Sequence, residues 1–108
     1  MSKETYYEKG MDLFANDDLD AALVELTRAL GLDPDYGDAL HAIAMTHYHK
    51  GNMNEAVEFG ERLRKAEPEN IHAYTSLSMF YNAKGFIEKA EEMGAIAARL
   101  ASGQDTSE

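Results

Sequence analysis

His41, Met45 and His49 follow one another at four-residue steps, which sets two imidazoles and a thioether along one face of any helix that holds them. Asp38, His72 and Met79 are expected on the same side. Imidazole and thioether together suit a soft ion such as Cu(I). A helix, however, rises about 1.5 Å per residue, so His41 and His49 would stand about 12 Å apart along its axis. That is too far to share an ion, so no metal is expected and the histidines are read as lining a binding surface. Carboxylates are more numerous. Asp17, Asp18 and Asp20 gather at one helix start, and Glu55, Glu58, Glu88, Glu91 and Glu92 fall in early turns of two others, where negative charge favours the macrodipole. They read as solvated faces rather than an acid–base pair. The chain has no P-loop, no G-x-S-x-G and no H-E-x-x-H, the commonest signatures of catalysis. It also has no cysteine, which removes disulfides, thiolate zinc sites, iron–sulfur clusters and a thiol nucleophile. Neither an enzyme nor a cofactor is expected.

The elements that position these side chains belong to a chain of 108 residues, a length suited to one domain. Its 44% hydrophobic and 28% charged residues are globular proportions. Twenty acidic residues against ten basic ones leave a formal charge of −10. Such a balance repels nucleic-acid phosphates and anionic lipid headgroups, so neither is expected as a partner. Nowhere do about 18 apolar residues run together to span a bilayer. The opening residues Met1 to Lys9 lack the apolar run of a signal peptide, and a cytoplasmic setting is expected.

A repeat organises the chain. Ala22, Ala56 and Ala90 are spaced 34 residues apart, and the same step links Pro34 to Pro68, Gly51 to Gly85, and Met11 to Met45 to Met79. Tyr6, Leu40 and Tyr74 keep it too, as do Gly10, Ala44 and Ser78, and Leu13, His47 and Tyr81. The chain therefore reads as three units, about 3–36, 37–70 and 71–104. Within the first, Tyr6, Gly10, Leu13 and Phe14 follow the spacing of a helical stripe, and Ala22, Leu23, Leu26, Ala29 and Leu30 repeat it. Asp33-Pro34-Asp35 ends the second helix, because proline cannot continue it. Helices are predicted over 3–15, 18–31, 37–50, 53–66, 71–84 and 87–101, with Asn52 as an N-cap that Phe86 fails to replace in the third unit. The domain is expected to run from 1 to 104, with a disordered tail at 105–108.

Helix–turn–helix units at this period, with the small residue and alanine ladders, resemble the tetratricopeptide repeat, whose pattern is W-x2-L-G-x2-Y, then A-x3-F, then P. Tyr6, Lys9, Gly10, Leu13, Ala22, Leu26, Ala29 and Pro34 stand at those positions in the first unit. The second unit offers Leu40, Ile43, Ala44, His47, Ala56, Gly60, Leu63 and Pro68, and the third Tyr74, Leu77, Ser78, Tyr81, Ala90, Gly94 and Ala97. Gly60 and Gly94 depart from the usual aromatic. Closer helix packing, with Phe59 and Met93 taking up the volume, is the expected reason, and a gap that a partner side chain fills is the alternative. The resemblance implies an all-α fold, a right-handed solenoid of three helical hairpins.

It also implies protein binding on the concave face, built from the first helix of each unit. That face would present Tyr7, Met11 and Phe14, then Asp38, His41, Met45, Tyr48 and His49, then His72, Thr75, Met79 and Asn82. The family's carboxylate clamp, which grips acidic chaperone tails, needs cations or asparagine where this chain has Tyr7, Met11, Ala42, His72 and Ser76. An acidic tail is therefore not the expected partner. Methionine and aromatic side chains favour an apolar or amphipathic segment, with basic flanks against the acidic surface. A second expectation is a homo-oligomer that associates through the last helix, by Phe86, Met93, Ile96 and Leu100, because Ile96 stands where earlier units have Arg28 and Arg62.

Overall fold

The computed structural model describes residues 1–103; the tail expected at 105–108 lies outside them. Six helices follow in order: α1 (Lys3–Ala15), α2 (Leu19–Leu32), α3 (Gly37–Lys50), α4 (Met53–Ala66), α5 (Ile71–Ala83) and α6 (Ile87–Ser102). Each predicted helix is present, with ends displaced by no more than one residue.

One turn, made three times, closes the hairpins. Asp17, Gly51 and Gly85 adopt φ of 65°, 82° and 84°, the left-handed conformation in which a Cβ is costly and glycine is not. Aspartate is among the few other residues that tolerate it. The next residue then turns its N–H back to the carbonyl five positions earlier: Asp18 to Leu13, Asn52 to His47 and Phe86 to Tyr81, at 2.9, 2.8 and 2.9 Å. This is the closing bond of a Schellman-type helix end. Asp18, Asn52 and Phe86 thereby become N-caps, yet none caps through its side chain. The Asn52 amide nitrogen instead lies 3.3 Å from His47 Nδ1. The expected contrast between Asn52 and Phe86 is thus corrected: both starts are fixed by the backbone turn, and phenylalanine gives up no side-chain cap that asparagine provides.

The hairpins α1–α2, α3–α4 and α5–α6 stack in series, each second helix packing on the next first helix. The first helices also touch one another, α1 with α3 and α3 with α5, whereas α2 and α4, or α4 and α6, make no close approach among the described residues. The array therefore curves with α1, α3 and α5 on its inner side. Ala22, Leu26, Leu40, Ile43, Ala56, Leu63, Leu77 and Phe80 are buried between the layers. Small residues set the spacing. A Cβ on Gly10 would lie 2.6 Å from Leu26 Cγ, and one on Gly60 would lie 2.7 Å from Leu77 Cδ2. The space at Gly60 is filled by Leu77 of the following unit, not by Phe59, whose ring stacks on His47 at 5.9 Å. Among the described residues no helix is long and apolar enough to cross a membrane.

Candidate binding groove

Every residue assigned to the inner face from the repeat lies on α1, α3 or α5, and contacts join the three helices. The Phe14 ring meets the His49 ring edge-on at 5.3 Å. His41 lies 5.7 Å from the His72 ring, and its Nε2 is 3.1 Å from Ser76 Oγ. That hydroxyl also approaches Met45 Sδ at 3.9 Å. Tyr48 packs on Phe80 with centroids 5.4 Å apart. Met11, Met45, Tyr7, Phe14, His41 and Tyr48 are half-buried, while Asp38, His49, His72, Thr75, Met79 and Asn82 are exposed. Met79, 36% accessible, is the barest methionine of its ladder. The surface is a strip of thioethers and rings with polar tips.

Two contributors escaped the sequence reading. Tyr36, in the turn before α3, sets its ring 5.7 Å from Tyr7 and lies under the Lys3 ammonium at 4.6 Å. Its signal was only position, an aromatic directly after Pro34-Asp35. Ser76 is buried and joins His41 to Met45; a serine on a helix carries no pattern that announces such a bond. Ala42 is buried as well, so two of the five clamp-equivalent positions are packed between helices.

The electrostatics are sparing. Burial, and then the nearby Asp38, raise the Tyr7 phenol above its ordinary value. Burial and the neighbouring His72 hold His41 below the usual imidazole range, against an opposing pull from Asp38. Both effects favour neutral groups in the strip. Lys3, at one end, is ion-paired to Asp33 at 2.6 Å. The imidazoles that come together are His41 and His72, and His49 is drawn away onto Phe14. Among the described residues no three His, Asp or Glu side chains form a metal-holding group.

The residues expected to drive oligomerisation divide. Phe86 is 52% accessible, but Met93 is 2% accessible and belongs to the core. Met93 is therefore withdrawn from any docking face: α6 turns it inward against the hairpin, because the helix has only one buried stripe. Ile96 and Leu100 are half-buried against the same core.

Comparison with known proteins places this geometry. A family model described as tetratricopeptide repeat matches residues 13–79. The chain superposes on a crystal structure of MamA with a TM-score of 0.92 at 29% identity, covering 96% of this chain and 61% of that one. It matches a thermophilic repeat protein of Thermus thermophilus with a TM-score of 0.81 at 29% identity, over 92% and 57% of the two chains. The second repeat domain of Spaghetti (RPAP3), solved with the HSP90 peptide SRMEEVD, matches with a TM-score of 0.88 at 14% identity, over 93% of each chain. The chain thus spans about three fifths of the MamA chain. No curated protein sequence matches it.

Proposed function

The chain belongs to the tetratricopeptide repeat family, and we propose that it is a protein–protein interaction module holding an apolar or amphipathic segment of its partner in the groove of α1, α3 and α5. One observation carries this reading: Met11, Met45 and Met79 sit one on each of α1, α3 and α5, with Met79 open to solvent. Thioethers are polarizable and adapt to varied apolar anchors, and Tyr7, Phe14 and Tyr48 extend the apolar strip. An amphipathic helix or an extended segment with regularly spaced apolar residues fits such a surface. The formal charge of −10 favours lysine or arginine beside those anchors. An acidic peptide like the SRMEEVD bound by the Spaghetti domain suits it poorly, because Tyr7, Met11, Ala42, His72 and Ser76 supply no fixed cation.

A displayed library of amphipathic segments, with and without basic flanks, selects the binders that test this. Central anchors often carry about 2 kcal/mol or more, so Met45→Glu is expected to weaken the selected segments by at least about thirtyfold with helicity retained. Glu58→Lys, on exposed α4 surface, is the control and should leave binding nearly intact. Normal binding by a folded Met45→Glu protein defeats the reading.

A further inference from the structure

Among the described residues one socket is left unfilled, and the filled copy shows what belongs in it. In the second unit, Leu77 of α5 takes the space beside Gly60, with Phe80 Cδ2 3.5 Å from where a Gly60 Cβ would be. Phe80 also packs on Tyr48. At the far end of α5, the Lys84 ammonium bonds the Asn54 side chain in the first turn of α4. The first junction repeats that last contact, with Lys50 of α3 ion-paired to Asp20 of α2. In the third unit the counterparts of Gly60 and Asn54 are Gly94 and Glu88. Among the described residues a Cβ on Gly94 would meet Ser78 Oγ alone, at 3.4 Å. Beside it opens a hollow of about 290 Å³ lined by Ser78, Asn82, Ile87, Ala90, Glu91 and Gly94. Ile87 is 50% accessible, and Glu88 has no cation partner among the described residues.

We propose that this terminal socket binds a helix of another protein that presents leucine, phenylalanine three residues later and lysine four residues beyond that. Leucine would fill the space at Gly94, phenylalanine would lie on the α5–α6 seam, and lysine would meet Glu88. Opposite charge favours a basic helix, since Glu91 lines the hollow and Glu88 and Glu92, with Lys89 as the one cation among them, line the neighbouring surface of α6. The same charges disfavour a second copy of this chain, which would bring the three glutamates against their own equivalents. Its first helix would fit no better: α1 has Lys9, Asp12 and Asn16 where α5 has Leu77, Phe80 and Lys84. Of the residues assigned to the inner groove, Asn82 also lines this hollow, while Met45 and the other inner-face residues do not, so a groove variant separates the two sites.

The probe is a fluorescent synthetic peptide of residues 70–85, which carries Leu77, Phe80 and Lys84, titrated into the full chain by anisotropy. Saturable binding is expected, falling at least tenfold with Gly94→Leu, which fills the hollow from within. A peptide with Lys84→Glu should bind the wild-type chain more weakly and the Glu88→Lys chain more tightly. That charge exchange tests the socket even should Gly94→Leu misfold. Absence of saturable binding at high micromolar concentration overturns the proposal. So does binding that ignores Gly94 and Glu88 but is lost with Met45→Glu, which would put the peptide in the groove. A wild-type dimer by sedimentation equilibrium that Gly94→Leu converts to monomer also overturns it, by assigning the socket to a second copy.

Discussion

The Tyr81 hydroxyl donates a 2.6 Å hydrogen bond to a Glu61 carboxylate oxygen, tying the end of α5 to the middle of α4. Glu61 also accepts from Arg64 Nε at 2.9 Å. Burial and the Glu61 partner push the Tyr81 phenol up to about 12. Folding therefore disfavours loss of its proton, and the stability from this group is complete below the ordinary tyrosine value near 10 and lost as pH rises through about 12. Tyr81→Phe is expected to cost about 1.5 kcal/mol at neutral pH, the lower end for a bond to a charged group, since Glu61 stays partly solvated and paired to Arg64. Alkaline melting should separate the two chains: the variant loses less stability than wild type on that rise. Equal alkaline profiles would remove the bond from the account.

Two glycines at equivalent positions should respond to alanine with opposite signs. Gly60→Ala gains helix propensity of about 0.8–1 kcal/mol, but its methyl would meet Leu77 Cδ2 at 2.7 Å and Leu77 Cγ at 3.1 Å. Overpacking of that kind typically costs about 1–3 kcal/mol, so a net loss near 1 kcal/mol is expected. Among the described residues Gly94→Ala meets only Ser78 Oγ, at ordinary contact distance, and it should be stabilising by nearly the full propensity term. Urea midpoints for the pair measure the difference directly. Stabilisation by both would mean that Leu77 yields without strain.

Ala56 is fully buried in the middle hairpin, so Ala56→Leu is expected to lower stability by at least about 1 kcal/mol. Chemical denaturation followed by circular dichroism reads this out. An unchanged midpoint contradicts the packing register assigned to the alanine ladder.

Acid should weaken the fold through histidine. Burial and His72 depress His41 against the pull of Asp38, and burial depresses His47 against the pull of Glu55. Depressed imidazoles take up protons more readily in the unfolded chain, so their stability is present above the ordinary value near 6.5 and is lost as pH falls below it through the folded values. Midpoints in urea should drop as pH falls below about 6.5, before the carboxylates titrate. His41→Gln should flatten that drop, and a profile as steep as wild type would assign the acid sensitivity elsewhere.

Much of this protein is legible in its residues alone. The ladders at a constant step, the breaks at Gly51, Gly85 and Pro34, and the apolar stripes specify six helices in three hairpins, because they act over one turn or one helix face. Which residues form the inner face was implied by the resemblance to the repeat family rather than by the period. What the tertiary structure decided are contacts between units. Ser76 bridges His41 and Met45, His41 pairs with His72 while His49 leaves for Phe14, and Met93 turns into the core although its neighbours Ile96 and Leu100 stay half-open. Gly60 and Gly94 look alike in sequence, yet Leu77 fills one and nothing in the described chain fills the other. Such differences depend on which helix arrives from the next repeat. A periodic sequence states its own spacing, whereas burial at a junction depends on the shape of both surfaces.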